Sequence, residues 1–400
     1  MARLVMEIHH RLPIWMIPPF LLVDDLACAL LDPAAFIKEL SEVYGFKLKG
    51  TGPIEFHLGC DFYRDSDGVL CISPKKHIDK MVDSYERIFG SKPLQKYRSP
   101  LDKGDHPETD TTELLGQDDI AVYQSMIGSL QWTVSLARID IATAVMTMSG
   151  FRTAPRVGHL ERLKRVYGYL SKFQHGVLRF RTNEPDYSDL ADQDFDWMYT
   201  VYGNVQEFLP SDAPQPLGKP VLISHYLDAN LFHVILTDRS VTGILTLPNA
   251  SPADWYTKKQ ATVETATYGS EFAASRTCVE RDIDLRNTLR YLGVPVRKKA
   301  YMFGDNESVV NSSITPHAKL HKRHTALSFH RVREAIAART IAYHHLRSES
   351  NVADMLSKHW GHGPTWPLLQ PLMFWEGDTI DLHLYPDSSK AKKKPAEVKD

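Results

Sequence analysis

Cysteine is scarce in this sequence. Cys28, Cys60, Cys71 and Cys278 are the four among 400 residues. They are widely spaced and form no Cys-x-x-Cys pair, which excludes a disulfide framework and a cysteine-based zinc site and points to a reducing, intracellular setting. A long apolar run is also missing. The longest early one, residues 12–23, contains three prolines and falls short of the roughly 20 residues needed to cross a bilayer. No membrane partner is expected. Glu7, His9 and His10 stand where a secretory signal would be building its apolar stretch, so residues 12–23 read as a buried strand and not a leader. An excess of one charge is absent too: 47 basic residues face 49 acidic ones, for a net charge of -2. Bulk attraction to a polyanion is thereby excluded, while local basic patches remain open. Hydrophobic residues make up 43% and charged residues 24%, ordinary globular values that exclude a wholly disordered chain. The length allows two or three domains.

What is present divides into regions. Residues 54–62 partly alternate, Asp65-Ser66-Asp67-Gly68 is a turn, and residues 69–72 return, which predicts a β-hairpin. Ile78, Met81, Val82, Tyr85 and Ile88 have helical spacing over 75–89. Residues 123–151 are apolar nearly all round, as in a buried helix pair. Leu160, Leu163, Val166, Tyr167, Leu170 and Phe173 form one apolar stripe, with Arg156, Arg162, Lys164, Arg165 and Lys172 off it. Those charges are either a solvated face or a surface that tracks phosphates. Residues 181–215 carry eight acidic residues and the single base Arg181, and read as a linker packed loosely on a neighbour. From 219 the pattern predicts strands at 221–227, 231–237 and 241–247, then a long helix over 263–292 stopped by Gly293 and Pro295. A strand at 299–303, a helix at 326–338, a strand at 341–346 and a short helix at 351–358 follow. Strands first and alternation afterwards give a mixed α/β layer fold.

Four carboxylates hold informative places in this last unit. Asp228 ends its first strand, Glu271 lies in the first half of the long helix, Asp305 ends the next strand, and Asp354 lies in the last short helix. Clustered carboxylates resist joint ionisation unless cations neutralise them. An oxygen-only set suits magnesium or manganese, and two such ions can activate water and steady a departing phosphodiester oxygen. Taken alone, four carboxylates among 49 acidic residues are a weak signal and read first as surface acids.

The surrounding residues add a resemblance. Trp255-Tyr256-Thr257-Lys258-Lys259-Gln260-Ala261-Thr262-Val263 with Ser270-Glu271-Phe272 resembles a signature of copia-type retrotransposon polyproteins. Gly304-Asp305-Asn306-Glu307-Ser308 is similar to that family's "C-D-N-x-S". His324, His330, Arg333 and Glu334 match its histidine-rich stretch, and Ala353-Asp354-Met355-Leu356-Ser357-Lys358 resembles "A-D-x-L-T-K". Upstream, Leu22-Val23-Asp24-Asp25 resembles the polymerase motif "Y-V-D-D", and Phe56-His57-Leu58-Gly59 the hairpin that supports the primer. Tyr123 to Leu130, Arg138-Ile139-Asp140-Ile141 and His159 to Leu170 continue the likeness, with Ile139 in place of a proline.

The resemblance implies the C-terminal part of a copia-type reverse transcriptase with its ribonuclease H domain. The implied fold is α/β (α+β): a truncated palm/thumb remnant, then a ribonuclease H-like domain with a mixed five-stranded sheet flanked by helices. The implied division is a palm remnant over 1–100, a helical thumb or connection over 101–180, an acidic linker over 181–218, the nuclease over 219–360 and an extension over 361–400. Asp228, Glu271, Asp305 and Asp354 become the catalytic and metal-holding residues for two Mg2+ ions, with Mn2+ an alternative. Lys258, Lys259, Lys322, Arg323, Arg162 and Arg165 become candidate contacts to nucleic acid. The substrate expected is an RNA–DNA hybrid, and other polyprotein products of the element are possible partners. An intracellular place is implied, cytoplasmic in a virus-like particle or nuclear. Only 23 residues precede Asp24, so Asp24 and Asp25 are expected to be orphaned polymerase ligands without independent polymerase activity. The clustered His317, His321, His324 and His330 fit no zinc spacing. The tail with Lys390, Lys392, Lys393, Lys394 and Lys399 reads as disordered, or as a localisation or nucleic-acid patch. A non-enzymatic alternative is an inactive relic that binds nucleic acid or a partner.

Overall fold

A computed structural model of the chain describes residues 20–22, 25–27, 32–47, 49, 52–320 and 322–374. The expectations for residues 12–19, Asp24, Cys28, His321 and the lysine-rich tail lie outside these residues. So do the side chains of the short antiparallel pair β1 (Phe20–Leu22) and β2 (Asp25–Ala27), the latter beginning at Asp25.

The first layer is a four-stranded antiparallel sheet of β3 (Phe56–His57), β4 (Cys60–Arg64), β5 (Leu70–Ser73) and β6 (Leu178–Phe180), in that order. The expected hairpin is β4–β5. Asp65 Oδ1 accepts hydrogen bonds from the Asp67 and Val69 N–H groups at 3.0 Å, and Gly68 takes φ +75°, a conformation a side chain would oppose. Helices Lys75–Phe89, Gln117–Ser135, Ala142–Ser149 and Val157–Lys172 bury their apolar stripes together. Between the second and third, Arg138 is fully buried. It binds Asp140 at 2.6 Å and donates to the Phe173 carbonyl at 2.8 Å, and Tyr169 donates to the same aspartate at 2.8 Å. The Arg-x-Asp motif is thus a structural tie.

The second sheet is mixed. It holds β7 (Ile223–Val234), β8 (Arg239–Pro248), β9 (Asp254–Lys259), β10 (Ala300–Gly304) and β11 (Ile341–His345), in the order β11-β10-β7-β8-β9. β7, β8 and β9 are antiparallel neighbours, while β10 runs parallel to both β7 and β11. The expected mixed five-stranded sheet is therefore present. Its strands differ from the sequence reading at two places. Residues 221–227 and 231–237 are not two strands but one, β7, whose register shifts between Asn230 and Val234. Phe232 there has φ +54°, and this irregularity is what broke the alternation. The strand not foreseen is β9, a polar edge strand inside the Trp255–Lys259 motif; charged residues are common at sheet edges.

Neighbouring residues of a strand point to opposite faces, and here they feed two cores. Leu227 and Ile244 join Phe272 and Val279 of the long helix Thr267–Tyr291, with Phe329 and Val332 of helix Ala326–Ala337. Leu245 points the other way and joins Ile127, Leu163 and Leu356 in the core of the helical region. That second core also takes in Leu369, Met373 and Phe374, from and just beyond helix His362–Met373, a helix within the expected C-terminal extension. Helix Glu307–Ile314 was likewise not foreseen.

Residues 181–215 do not pack loosely. Gln193 bonds both the N–H and the carbonyl of Tyr343, at 3.0 and 2.6 Å, and so covers part of β11. Trp197 is buried, and Glu207 clamps Arg286 and Arg290 at 2.7 and 2.8 Å. Glu184 meets Arg297 and Asp194 meets Arg339. Glu184, Asp194 and Glu207 thus have basic partners on the unit of the second sheet, which gives the segment a fixed course.

Candidate active site

Three elements bring carboxylates to one place. Asp228 sits on the central strand β7. Asp305 follows the C-terminal end of the parallel neighbour β10. Glu271 projects from the second turn of the long helix. One oxygen from each of the three lies within 4.8 Å of the others. They face a cavity of about 340 Å³ that Asn230, Asn306 and Lys358 also line. Opposite Asp228, β8 carries Gly243, where a Cβ would stand 2.7 Å from the Ala353 carbonyl oxygen. The absence of a side chain there lets the short helix Asp354–Ser357 lie directly on the sheet beside Asp228. At Gly304, where the resembled motif has a cysteine, a Cβ would stand 2.7 Å from the Tyr343 hydroxyl.

The site is held by a small set of hydrogen bonds. Ser357 donates its hydroxyl hydrogen to Asp228. The Ala229 N–H donates to Glu271 Oε1 at 3.3 Å, and Ser348 donates to Asp305 at 2.7 Å. Asn306 caps helix Glu307–Ile314 by accepting from the Val309 N–H, which fixes the turn after Asp305. Glu271 is 2% exposed, yet its Oε2 has no hydrogen-bond partner among the described residues.

The electrostatics follow from burial and like charge. Burial pushes the Asp228 carboxyl up to about 6, against the pull of the Lys358 ammonium. Burial, with Asp228 and Asp305 beside it, holds Glu271 well above the usual carboxylate range. The two buried acids therefore resist carrying charge together. Lys358 is raised, its two carboxylate neighbours outweighing its burial.

The fourth expected residue stands apart. Asp354 is not within the three-carboxylate cluster; its Oδ1 pairs with Lys358 Nζ at 2.7 Å, and that ammonium lies 3.2 Å from Asp228. Lys358 and Ser357 are site residues that the sequence reading did not single out. The available signal was spacing, since Lys358 follows Asp354 by four residues, a separation that brings opposite charges within reach of each other at a helix.

The six basic residues lie elsewhere; none lines the carboxylate cavity. Arg162 is paired with Asp105 at 2.9 Å and Asp110 at 2.7 Å, and Arg165 with Asp102 at 2.7 Å. Their charges are balanced inside the chain. Lys258 and Arg323 are exposed, and Lys259 and Lys322 half-buried. His324 pairs with Glu264 at 3.1 Å and His330 with the Tyr202 hydroxyl at 2.7 Å. No helix among the described residues is long and apolar enough to cross a membrane.

No family model matches the chain. It is similar to the retrovirus-related Pol polyprotein from transposon TNT 1-94 of Nicotiana tabacum, at 24% identity over 345 residues, covering 84% of this chain and 23% of the relative. The corresponding polyprotein from transposon RE1 of Arabidopsis thaliana is 22% identical over 342 residues, covering 84% and 20%. A putative transposon Ty5-1 protein of Saccharomyces cerevisiae is 26% identical over 254 residues, covering 60% and 71%. The chain thus spans about a fifth of the length of the two Pol polyproteins. Among solved structures, the N-terminal RNase H domain of a Mycobacterium tuberculosis protein aligns at TM-score 0.27 and 12% identity, over 38% of this chain and 98% of that one. LC11-RNase H1 in complex with an RNA/DNA hybrid aligns at TM-score 0.28 and 15% identity, over 34% and 93%. The motif resemblance is borne out by the sequence comparisons: over most of its length, the chain is a homologue of Pol polyproteins from copia-type transposons.

Proposed function

We propose that this chain is a magnesium-dependent ribonuclease H that hydrolyses the RNA strand of an RNA–DNA hybrid. The observation that carries the reading is the meeting of Asp228, Glu271 and Asp305 within 4.8 Å, with Glu271 Oε2 buried there and without a hydrogen-bond partner among the described residues. A buried carboxylate oxygen without a donor is costly unless something positive meets it. The donor set is all oxygen, which fits magnesium or manganese. Asp228, Glu271, Asp305 and, with some rearrangement of Lys358, Asp354 are the residues that would hold divalent ions. Such ions supply an activated water and charge neutralisation at a departing 3′-oxygen.

The rest is done by the chain itself. Ser357 and the Ala229 amide fix the aim of the carboxylates before substrate arrives. Burial of Asp228 and Glu271 keeps bulk water from solvating them, so that their charge is free for a bound cation. The cavity opens where β10 ends beside the middle of β7, which allows a duplex backbone to be laid across it. Selection of a hybrid would rest on groove shape and on contacts to 2′-hydroxyls and phosphates, with Lys258, Lys259, Lys322 and Arg323 as candidate donors.

The test is cleavage of an end-labelled hybrid by the purified chain with magnesium, beside Asp228→Asn and Asp305→Asn. The expected result is cut RNA with the parent alone. Hybrid binding without cleavage by a folded parent would replace this reading with that of a binding module.

A further inference from the structure

A charged group stands inside the carboxylate site and is not used by the function proposed above. Lys358 Nζ lies 2.7 Å from Asp354 Oδ1 and 3.2 Å from both oxygens of Asp228. Among the described residues it makes no ion pair with Glu271 or Asp305. The site therefore has two sides. On one, Asp228, Glu271 and Asp305 converge, and the buried, unpartnered Glu271 Oε2 is available. On the other, Asp228 and Asp354 are joined through a single ammonium. A cation shared by those two carboxylates has to take the place that Lys358 holds.

We propose that Lys358 is a built-in counter-cation that makes the two cation positions unequal. The position formed by Asp228, Glu271 and Asp305 fills with Lys358 in place. The position between Asp228 and Asp354 fills only as the ammonium swings out. This rests on the carboxylates being a divalent-metal site. Two observations make the swing feasible. The Lys358 side chain is 26% exposed, so it borders solvent. Its four-carbon stem is flexible and its charge is compact, unlike an arginine fork. Gly243 holds the helix backbone against the sheet, so the side chain is the part free to move. Once displaced, the ammonium stays at the cavity it now lines, where it is suited to meet a phosphate oxygen.

The experiment is a Mn2+ titration of the full chain without nucleic acid, following free Mn2+ by electron paramagnetic resonance. The wild type is expected to bind one ion, and a second at least tenfold more weakly. Lys358→Met is expected to tighten the second ion at least tenfold and to change the first less. Lys358→Gln, which keeps an amide donor for the two carboxylates, is expected to shift the second ion in the same direction and serves if the methionine variant does not fold. Asp354→Asn is expected to remove the weaker ion and keep the tighter one. A second ion unchanged or weakened in the folded lysine variants overturns the role of Lys358 while leaving the metal site standing. Loss of the tighter ion in Asp354→Asn overturns the division into two positions. No Mn2+ bound to any folded protein overturns the metal site and this proposal with it.

Discussion

Asp228→Asn tests the electrostatics of the site independently of its chemistry. Asp228 is 1% exposed, and burial raises its carboxyl from 3.8 to about 6 despite the nearby ammonium. The sign follows from linkage. Between pH 3.8 and 6 the folded chain binds a proton that the unfolded chain releases. This group's contribution is therefore most favourable below the unfolded value and is lost as pH rises through the folded one. At about 1.4 kcal/mol per tenfold change in proton affinity, the loss is about 3 kcal/mol above pH 6. Asparagine mimics the protonated carboxyl and escapes that loss. In EDTA at pH 8 the variant is expected to be more stable than the wild type by up to about 3 kcal/mol. At a urea slope of about 3 kcal/mol/M that is an upward shift of about 1 M in the midpoint. The advantage should shrink toward pH 4, and saturating magnesium should reduce it by stabilising only the wild type. A variant less stable than the wild type at pH 8 in EDTA would refute the reasoning. It would mean that the Lys358 pair outweighs the burial of the charge.

Other expectations follow from the same contacts. Arg138→Met leaves Asp140 buried without its ion-pair partner and is expected to cost about 3–5 kcal/mol, read by chemical unfolding; a loss below about 1 kcal/mol would remove the tie from the account. Gly243→Ala puts a Cβ against the Ala353 carbonyl and the Leu356 backbone, with an expected cost of about 1–3 kcal/mol and weaker Mn2+ binding, because the helix with Asp354 must shift. Unchanged Mn2+ binding would detach that helix from the site. His233 and His359 are held down to about 3 and about 4, chiefly by burial. Their folded values lie below the unfolded one, so stability is full above about pH 6.5 and falls as the medium acidifies toward pH 4. His233→Asn should flatten that acid slope; an unchanged slope between pH 6.5 and 4 would exclude His233 as a source.

The sheet was legible because its residues report burial. Leu227, Ile244 and Met302 lie in apolar runs bounded by turns, and each proves fully buried. What misled was local geometry that hydrophobicity does not encode. The left-handed φ of Phe232 split one strand into two, since alternation fails wherever register shifts. β9 was hidden because an edge strand shows one side to solvent and so keeps Lys258 exposed. Helix His362–Met373 was hidden by Pro367 and Pro371 inside it, residues that ordinarily argue against a helix. The acidic segment was misjudged for a different reason. Composition gives its charge but not the distant Arg286, Arg290, Arg297 and Arg339 that answer it.

The candidate site was legible in a similar and similarly incomplete way. An expected strand end, a true one and a helix turn were enough to nominate Asp228, Asp305 and Glu271: Asp228 proves to lie inside β7, which runs on to Val234, and the end of the parallel β10 delivers Asp305 alongside it. Nothing in the spacing separated Asp354 from the other three. That distinction arises from one glycine opposite Asp228. It brings the short helix so close that Lys358 reaches both aspartates and occupies the space between them. A list of acidic residues is therefore an incomplete description of such a site. The cation already present decides which carboxylates are free to receive another, and here it leaves Glu271, the most buried acid of the cluster after Asp228, with an oxygen that no donor in the described residues satisfies.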